Sequence, residues 1–279
     1  MKLLKHSKMG TYIRSTLRQI PMWLILAGAL AGFIRGAFLT INMLDAEAAI
    51  PSGIFGNAAV PPLIANILQY ATFFMSPLML LIGSVMTSVE FESRAILMRR
   101  IHVGVAESVI TQIAAAFVHS LMYAAAALIV GWAAQAYWDL TNPQFTFLIP
   151  DGIIWNLFGK FFVCFSMAFI IALIGVLIAT VVRSVVSSIF LSIIAYIVMT
   201  KITAITYLGV FAFADGVMPI LAIPELGGNV SQLRVALIGV FITAFLLTGI
   251  MYFGTRPIYD RQRRKKRKEH KAPRKAVAV

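Results

Sequence analysis

The chain has 279 residues, of which 60% are hydrophobic and 13% charged, and it carries a formal net charge of +13. A water-soluble domain of this length needs far more polar surface, so the basic charge is read as a topology signal and not as a nucleic-acid footprint. One cysteine, Cys164, lies inside an apolar run and reads as packing; it excludes a disulfide framework and any multi-cysteine metal site.

In chain order, residues 9 to 20 come first. Met9, Tyr12, Ile13, Thr16, Leu17 and Ile20 share one helical face, and Thr11, Arg14, Ser15 and Arg18 share the other. An apolar stripe with an Arg-bearing back suits a helix lying in the membrane interface. Basic residues from Lys2 to Arg18 precede an apolar stretch too long for a cleavable signal, so it reads as a retained first span. Pro21 fits its first turn.

Six transmembrane helices are expected, at about Met22–Ile41, Leu63–Met86, Ala106–Ala133, Ile153–Thr180, Val185–Tyr207 and Val235–Phe253, each near the ~18–20 apolar residues that cross a bilayer. Pro77 is expected to kink the second. Asp215, Pro219, Pro224 and Gly227-Gly228 break helices, so residues of about 208–232 read as a re-entrant external segment between helices five and six; a seventh span is the competing count. The fold class is therefore all-α, a polytopic membrane protein. Residues 1–21 form a cytoplasmic N-terminus with its interfacial helix, 22–254 the transmembrane domain, and 255–279 a basic, disordered cytoplasmic tail.

Orientation follows the positive-inside rule. With both termini cytoplasmic, only Arg35, Lys160, Lys201 and Arg234 among the 24 Lys and Arg fall outside cytoplasmic segments. The run Arg261-Gln262-Arg263-Arg264-Lys265-Lys266-Arg267-Lys268 attracts anionic lipid, at about 1 kcal/mol per basic residue near a surface. Nucleic acid is not expected as a partner.

Catalytic signatures are missing. There is no G-x-x-x-x-G-K-[ST] phosphate loop, no H-E-x-x-H and no G-x-S-x-G, so the chain reads as a non-enzyme with no cofactor or metal of its own.

Some residues stand out. Glu90, Phe91, Glu92, Arg94, Met98, Arg99 and Arg100 lie in the short connection between spans two and three, which can form an amphipathic helix over about 90–102. Such a helix lies flat on the inner membrane face or docks into a partner's groove; a plain basic loop is the alternative. Gly28, Gly32 and Gly36 recur every four residues along span one, a ridge that lets another helix approach closely. Arg35, His119, Asn66 and Gln69 are candidates for a translocation path or gate. For Arg35 the alternative is snorkelling, with Asp45 or Glu47 as partner; for His119 it is an interhelical hydrogen bond. Lys160 is expected to snorkel to the outer interface.

The order of elements resembles the membrane subunit of a type-2 ABC exporter, including permeases for antimicrobial-peptide export or immunity. In that family the second-to-third connection runs from an acidic residue through a glycine-threonine pair and a short apolar helix to a Ser-Arg turn. Here Glu90 and Glu92 match the start, Ile96-Leu97-Met98 the apolar turn, and Gly104-Val105-Ala106-Glu107-Ser108 the close. Arg94-Ala95 and Ala106-Glu107 stand where the family has Gly-Thr and Ser-Arg. The resemblance implies a coupling helix at 90–102 that touches a separate cytosolic ATPase subunit, which would hold ATP and Mg. It also implies pairing of two membrane subunits in a bacterial cell membrane and export of a peptide or amphiphile. A membrane scaffold or assembly factor and a secondary transporter are the other readings.

Overall fold

A computed structural model describes residues 17, 19–47, 62–73, 75, 77–93, 105–142, 153–205, 247–250 and 252. Expectations for the interfacial helix before residue 17, for Arg94 to His102, for 208–232, for most of the sixth span and for the tail lie outside these residues.

Among the described residues six long helices follow one another: α1 (Ile20–Glu47), α2 (Pro62–Phe73), α3 (Pro77–Glu92), α4 (Val105–Thr141), α5 (Ile153–Val182) and α6 (Val185–Ile205). Within them Pro21–Asn42, Ala106–Thr141 and Leu157–Val182 are long and apolar enough to cross a membrane. Among the described residues the architecture is that of an all-helical, membrane-embedded protein.

The distribution of side chains supports the same conclusion. Leu24, Phe38, Ile129, Leu140, Val186 and Phe190 are exposed, whereas Ser84, Thr87, Gln112, His119, Ser120 and Ser188 are buried. Water would penalise so much exposed apolar surface. Hydrocarbon does not, and it drives polar groups towards neighbouring helices.

The second expected span is not one kinked helix. It is two, α2 with 12 residues and α3 with 16, about 18 and 24 Å long at 1.5 Å per residue. The helical ladder fails where Met75 N–H donates to the Tyr70 carbonyl, five residues back, at 3.3 Å. Two residues later Pro77 has no N–H to offer the Phe73 carbonyl, so regular pairing cannot resume.

Helix α5 packs against α2, α3, α4 and α6. Its closest approach is to α3. A Cβ on Gly83 would overlap the Ala172 carbonyl oxygen, and one on Gly175 would overlap the Leu80 carbonyl oxygen. These two reciprocal contacts bring backbone against backbone, and the approach of Glu92 to Val185 and of Phe91 to Arg183 at the far ends makes α3 and α5 run parallel. On α5 the small residues Ala168, Ala172, Gly175 and Ala179 line this face.

Helix α4 runs antiparallel to α2. Tyr123 reaches Ala71, Gly131 lies 3.1 Å from the Ile64 Cα as measured from a built Cβ, and Gln135 reaches Leu63. At the α2 start the Gln135 Oε1 accepts from the Leu63 N–H at 3.2 Å, while Gln135 Nε2 donates to Asp139 Oδ1 at 2.9 Å. This cap answers one of the orphan donors at a helix N-terminus. It also explains why α4 runs on to Thr141 instead of ending near Ala133: Ala134, Gln135 and Trp138 are buried against the start of α2.

Lys160 departs from expectation. It is 4% exposed because α5 has neighbours on most of its circumference and little of it is left to face lipid.

Candidate functional site

The end of α3 is where the sequence places its strongest interaction motif, and the structure builds a junction there. Glu90 and Phe91 are buried, at 4% and 8% exposure, whereas Glu92 is exposed. The chain then passes into the connection that leads to α4.

Opposite this end, α5 gives way to α6 through only Arg183 and Ser184. Arg183 adopts a left-handed backbone with φ of 62°, a conformation that costs a non-glycine residue about 1–2 kcal/mol. Its N–H still donates to the Ala179 carbonyl at 2.9 Å, and the next helix opens with Ser188 N–H donating to the Ser184 carbonyl at 2.9 Å. The turn therefore reverses the chain within two residues and leaves the first N–H groups of α6 without helical acceptors.

Glu92 supplies one. Its Oε1 accepts from the Val185 N–H at 2.7 Å, a carboxylate placed at the positive end of a helix dipole. The Arg183 guanidinium lies 5.8 Å from the Phe91 ring centroid, within the range of a cation–π contact. Adjacent residues of α3 thus hold both sides of the α5–α6 turn. Displacement of the α3 end must pull on the start of α6.

Loss of this cap has a local signature. Glu92→Ala should cost the first turn of α6 about 1 kcal/mol, so amide exchange at Val186 to Ser188 rises roughly five-fold in hydrogen-exchange mass spectrometry. Exchange in the middle of α5 stays unchanged.

The other expected site residues do not converge. Arg35 on α1 and Asn66 on α2 are exposed, while His119 on α4 is fully buried. Gln69 lies in α2, and its side chain is outside the described set, as are those of Asp45 and Glu47. Arg94, Met98, Arg99 and Arg100 lie outside the described residues. Along α1, a Cβ on Gly36 would lie 2.9 Å from the Tyr70 ring and one on Gly32 would lie 2.8 Å from Met75 Sδ, whereas one on Gly28 would meet nothing within 4 Å. The ridge therefore receives side chains of the α2 region, and the backbone-to-backbone approach occurs at Gly83 and Gly175.

Sequence reasoning missed Arg183, Tyr123, the Gln135–Asp139 cap and the α3–α5 crossing. Only the last had a readable signal, the small residues at 168, 172, 175 and 179 recurring at helical spacing.

No protein-family model, curated protein or solved structure matches the chain.

Proposed function

We propose that the chain is the membrane subunit of an ATP-driven type-2 ABC exporter. In this reading it crosses a bacterial cell membrane six times with both termini cytoplasmic and pairs with a second membrane subunit. It moves a peptide or amphiphile with energy from a cytosolic ATPase that binds ATP and Mg. The single observation that carries the reading is the Glu92 carboxylate on the Val185 N–H. An ATPase pressing on the connection around Arg94 to Arg100 would move the end of α3, and this bond passes the displacement directly to α6.

The break between α2 and α3 favours a second reading, a secondary transporter, because discontinuous spans often surround substrate and ion sites in that class.

Tagged protein purified in mild detergent from its native membrane separates the two. The exporter reading expects co-eluting ATPase activity that is lost with Arg99→Glu/Arg100→Glu while the melting temperature is unchanged. If no ATPase co-elutes from the wild type and ion-gradient-driven flux is found in vesicles, the exporter reading falls and the secondary transporter takes its place.

A further inference from the structure

Three of the buried polar atoms that lack a partner belong to one helix, α4. They are Ser108 Oγ, Gln112 Nε2 and His119 Nε2, on residues of 0%, 1% and 0% exposure. Other buried hydroxyls of α4 avoid that state: Thr111 and Ser120 donate to the Ser108 and Ala116 carbonyls, each at 2.8 Å.

The three share one face. At 3.6 residues per turn each lies within roughly 60° of Tyr123 around the helix axis, and the Tyr123 ring meets Phe33 of α1 edge-on at 5.1 Å. Phe117, which packs on Phe165 and Phe169 of α5, lies roughly 140–200° from them. The stripe therefore turns away from α5 and towards α1.

What α1 offers there is apolar. Phe33 beside Tyr123 and Ile41 beside Trp138 make α1 antiparallel to α4, so the stripe meets the part of α1 that precedes Phe33. From Ile20 to Phe38 only Trp23 and Arg35 carry side-chain nitrogen or oxygen, and both are exposed. The seam is polar on one side only. Each group left unpaired in it bears a desolvation penalty, which water would relieve if the helices parted.

We propose that this face of α4 is the closed form of an aqueous vestibule between α1 and α4, filled by water when the two helices separate. From Ser108 to His119 it runs about 17 Å, roughly half of the ~30 Å hydrocarbon thickness. It opens at the end where α4 begins. Its inner end is shut by Tyr123, whose ring rests on Phe33 and whose hydroxyl is engaged by the Ala71 carbonyl. Each lining group suits water. The amide of Gln112 donates, the Ser108 hydroxyl does both, and His119 accepts at Nε2, because its Nδ1 lies 2.7 Å from the Ala115 carbonyl and so carries the proton. The vestibule rests on the chain being a transporter of either kind proposed above, and not on its source of energy.

The test places single cysteines at Ser108, Gln112 and His119 in full-length Cys164→Ala protein, in native membrane vesicles open to a charged methanethiosulfonate. Ile110→Cys and Leu121→Cys, at positions 55% and 42% exposed, set the rate for a thiol facing lipid, where little thiolate forms. Ser108→Cys, Gln112→Cys and His119→Cys should each react roughly ten times faster than these controls or more, since only a hydrated thiol ionises readily. Rates equal to the controls overturn the vestibule. Gln112→Met removes the unpaired amide at similar side-chain length and so favours the closed seam. It should raise the melting temperature and slow modification of His119→Cys several-fold. A lower melting temperature, or an unchanged rate, overturns the assignment of Gln112 to the stripe. Co-elution of an ATPase is read separately, so the vestibule can fail while the exporter reading stands, and the reverse.

Discussion

Gly175→Val should force α3 and α5 apart at their crossing and lower the stability of the bundle. The Cβ alone meets the Leu80 carbonyl oxygen and comes within 2.9 Å of the Ser84 nitrogen. These are backbone atoms of a helix and cannot rotate aside as a side-chain tip can. Gly83→Val should act in the same way through the Ala172 carbonyl and the Val176 nitrogen, the latter 3.1 Å away. Overpacking of this kind costs about 1–3 kcal/mol, a fall in melting temperature of roughly 3–10 °C for a chain of this size. Gly28→Ala is the control: nothing lies within 4 Å of its added methyl, and alanine gains about 1 kcal/mol of helix propensity over glycine. Gly36→Ala falls between the two, because the Tyr70 ring it meets can swing away. Thermal unfolding in detergent, followed by size-exclusion chromatography, checks the series. Gly175→Val eluting and melting like the parent would show that the crossing is not held as described. Damage from Gly28→Ala that appears only in oligomeric state would instead assign the α1 ridge to a second subunit.

This series also shows what a sequence can and cannot disclose in such a bundle. Apolar length is written directly in composition, so the spans that became α5 and α6 begin at Ile153 and Val185 in both readings. Pairing is different, because it depends on which face of one helix meets which face of another. The evenly spaced Gly28, Gly32 and Gly36 draw attention, yet the close backbone-to-backbone approach is made by Gly83 and Gly175, which are matched only across space. Glu92 drew attention in the sequence as an acid at the start of the connection between the second and third expected spans. Its hydrogen bond to Val185 was not, since the two residues are 93 positions apart and the bond requires a helix to start opposite the carboxylate. Pro77 signalled a disturbance, but a proline alone does not say whether a span bends or divides. The outcome turned on Met75 pairing with Tyr70 instead of with Ala71, and on a tyrosine from another helix being present to replace the missing donor.

That tyrosine carries the second large effect. Tyr123 is fully buried, and its hydroxyl donates to the Ala71 carbonyl at 2.7 Å. In a continuous helix that carbonyl would receive the Met75 N–H, which here goes to Tyr70. Tyr123→Phe keeps the ring, including its edge-on contact with Phe33 at 5.1 Å, and removes only the donor. A carbonyl left bare in this setting should cost about 1–3 kcal/mol, more than the roughly 0.6 kcal/mol average for side-chain hydrogen bonds between membrane helices, because no neighbouring donor can slide into place while Pro77 holds the break. Pro77→Ala supplies the comparison. With a backbone N–H restored at 77, α2 and α3 can join, Met75 can return to Ala71, and the hydroxyl becomes dispensable. The double-mutant cycle should therefore show Tyr123→Phe destabilising the natural chain while costing little in the Pro77→Ala background, a coupling on the order of 1 kcal/mol or more. Equal losses in both backgrounds would mean that Tyr123 stabilises the bundle by packing alone and that something else maintains the division of the span. If the coupling is found, Pro77→Ala becomes a folded protein with an undivided helix, and assaying it for the proposed transport then tests whether the division serves that function or only the architecture of the bundle.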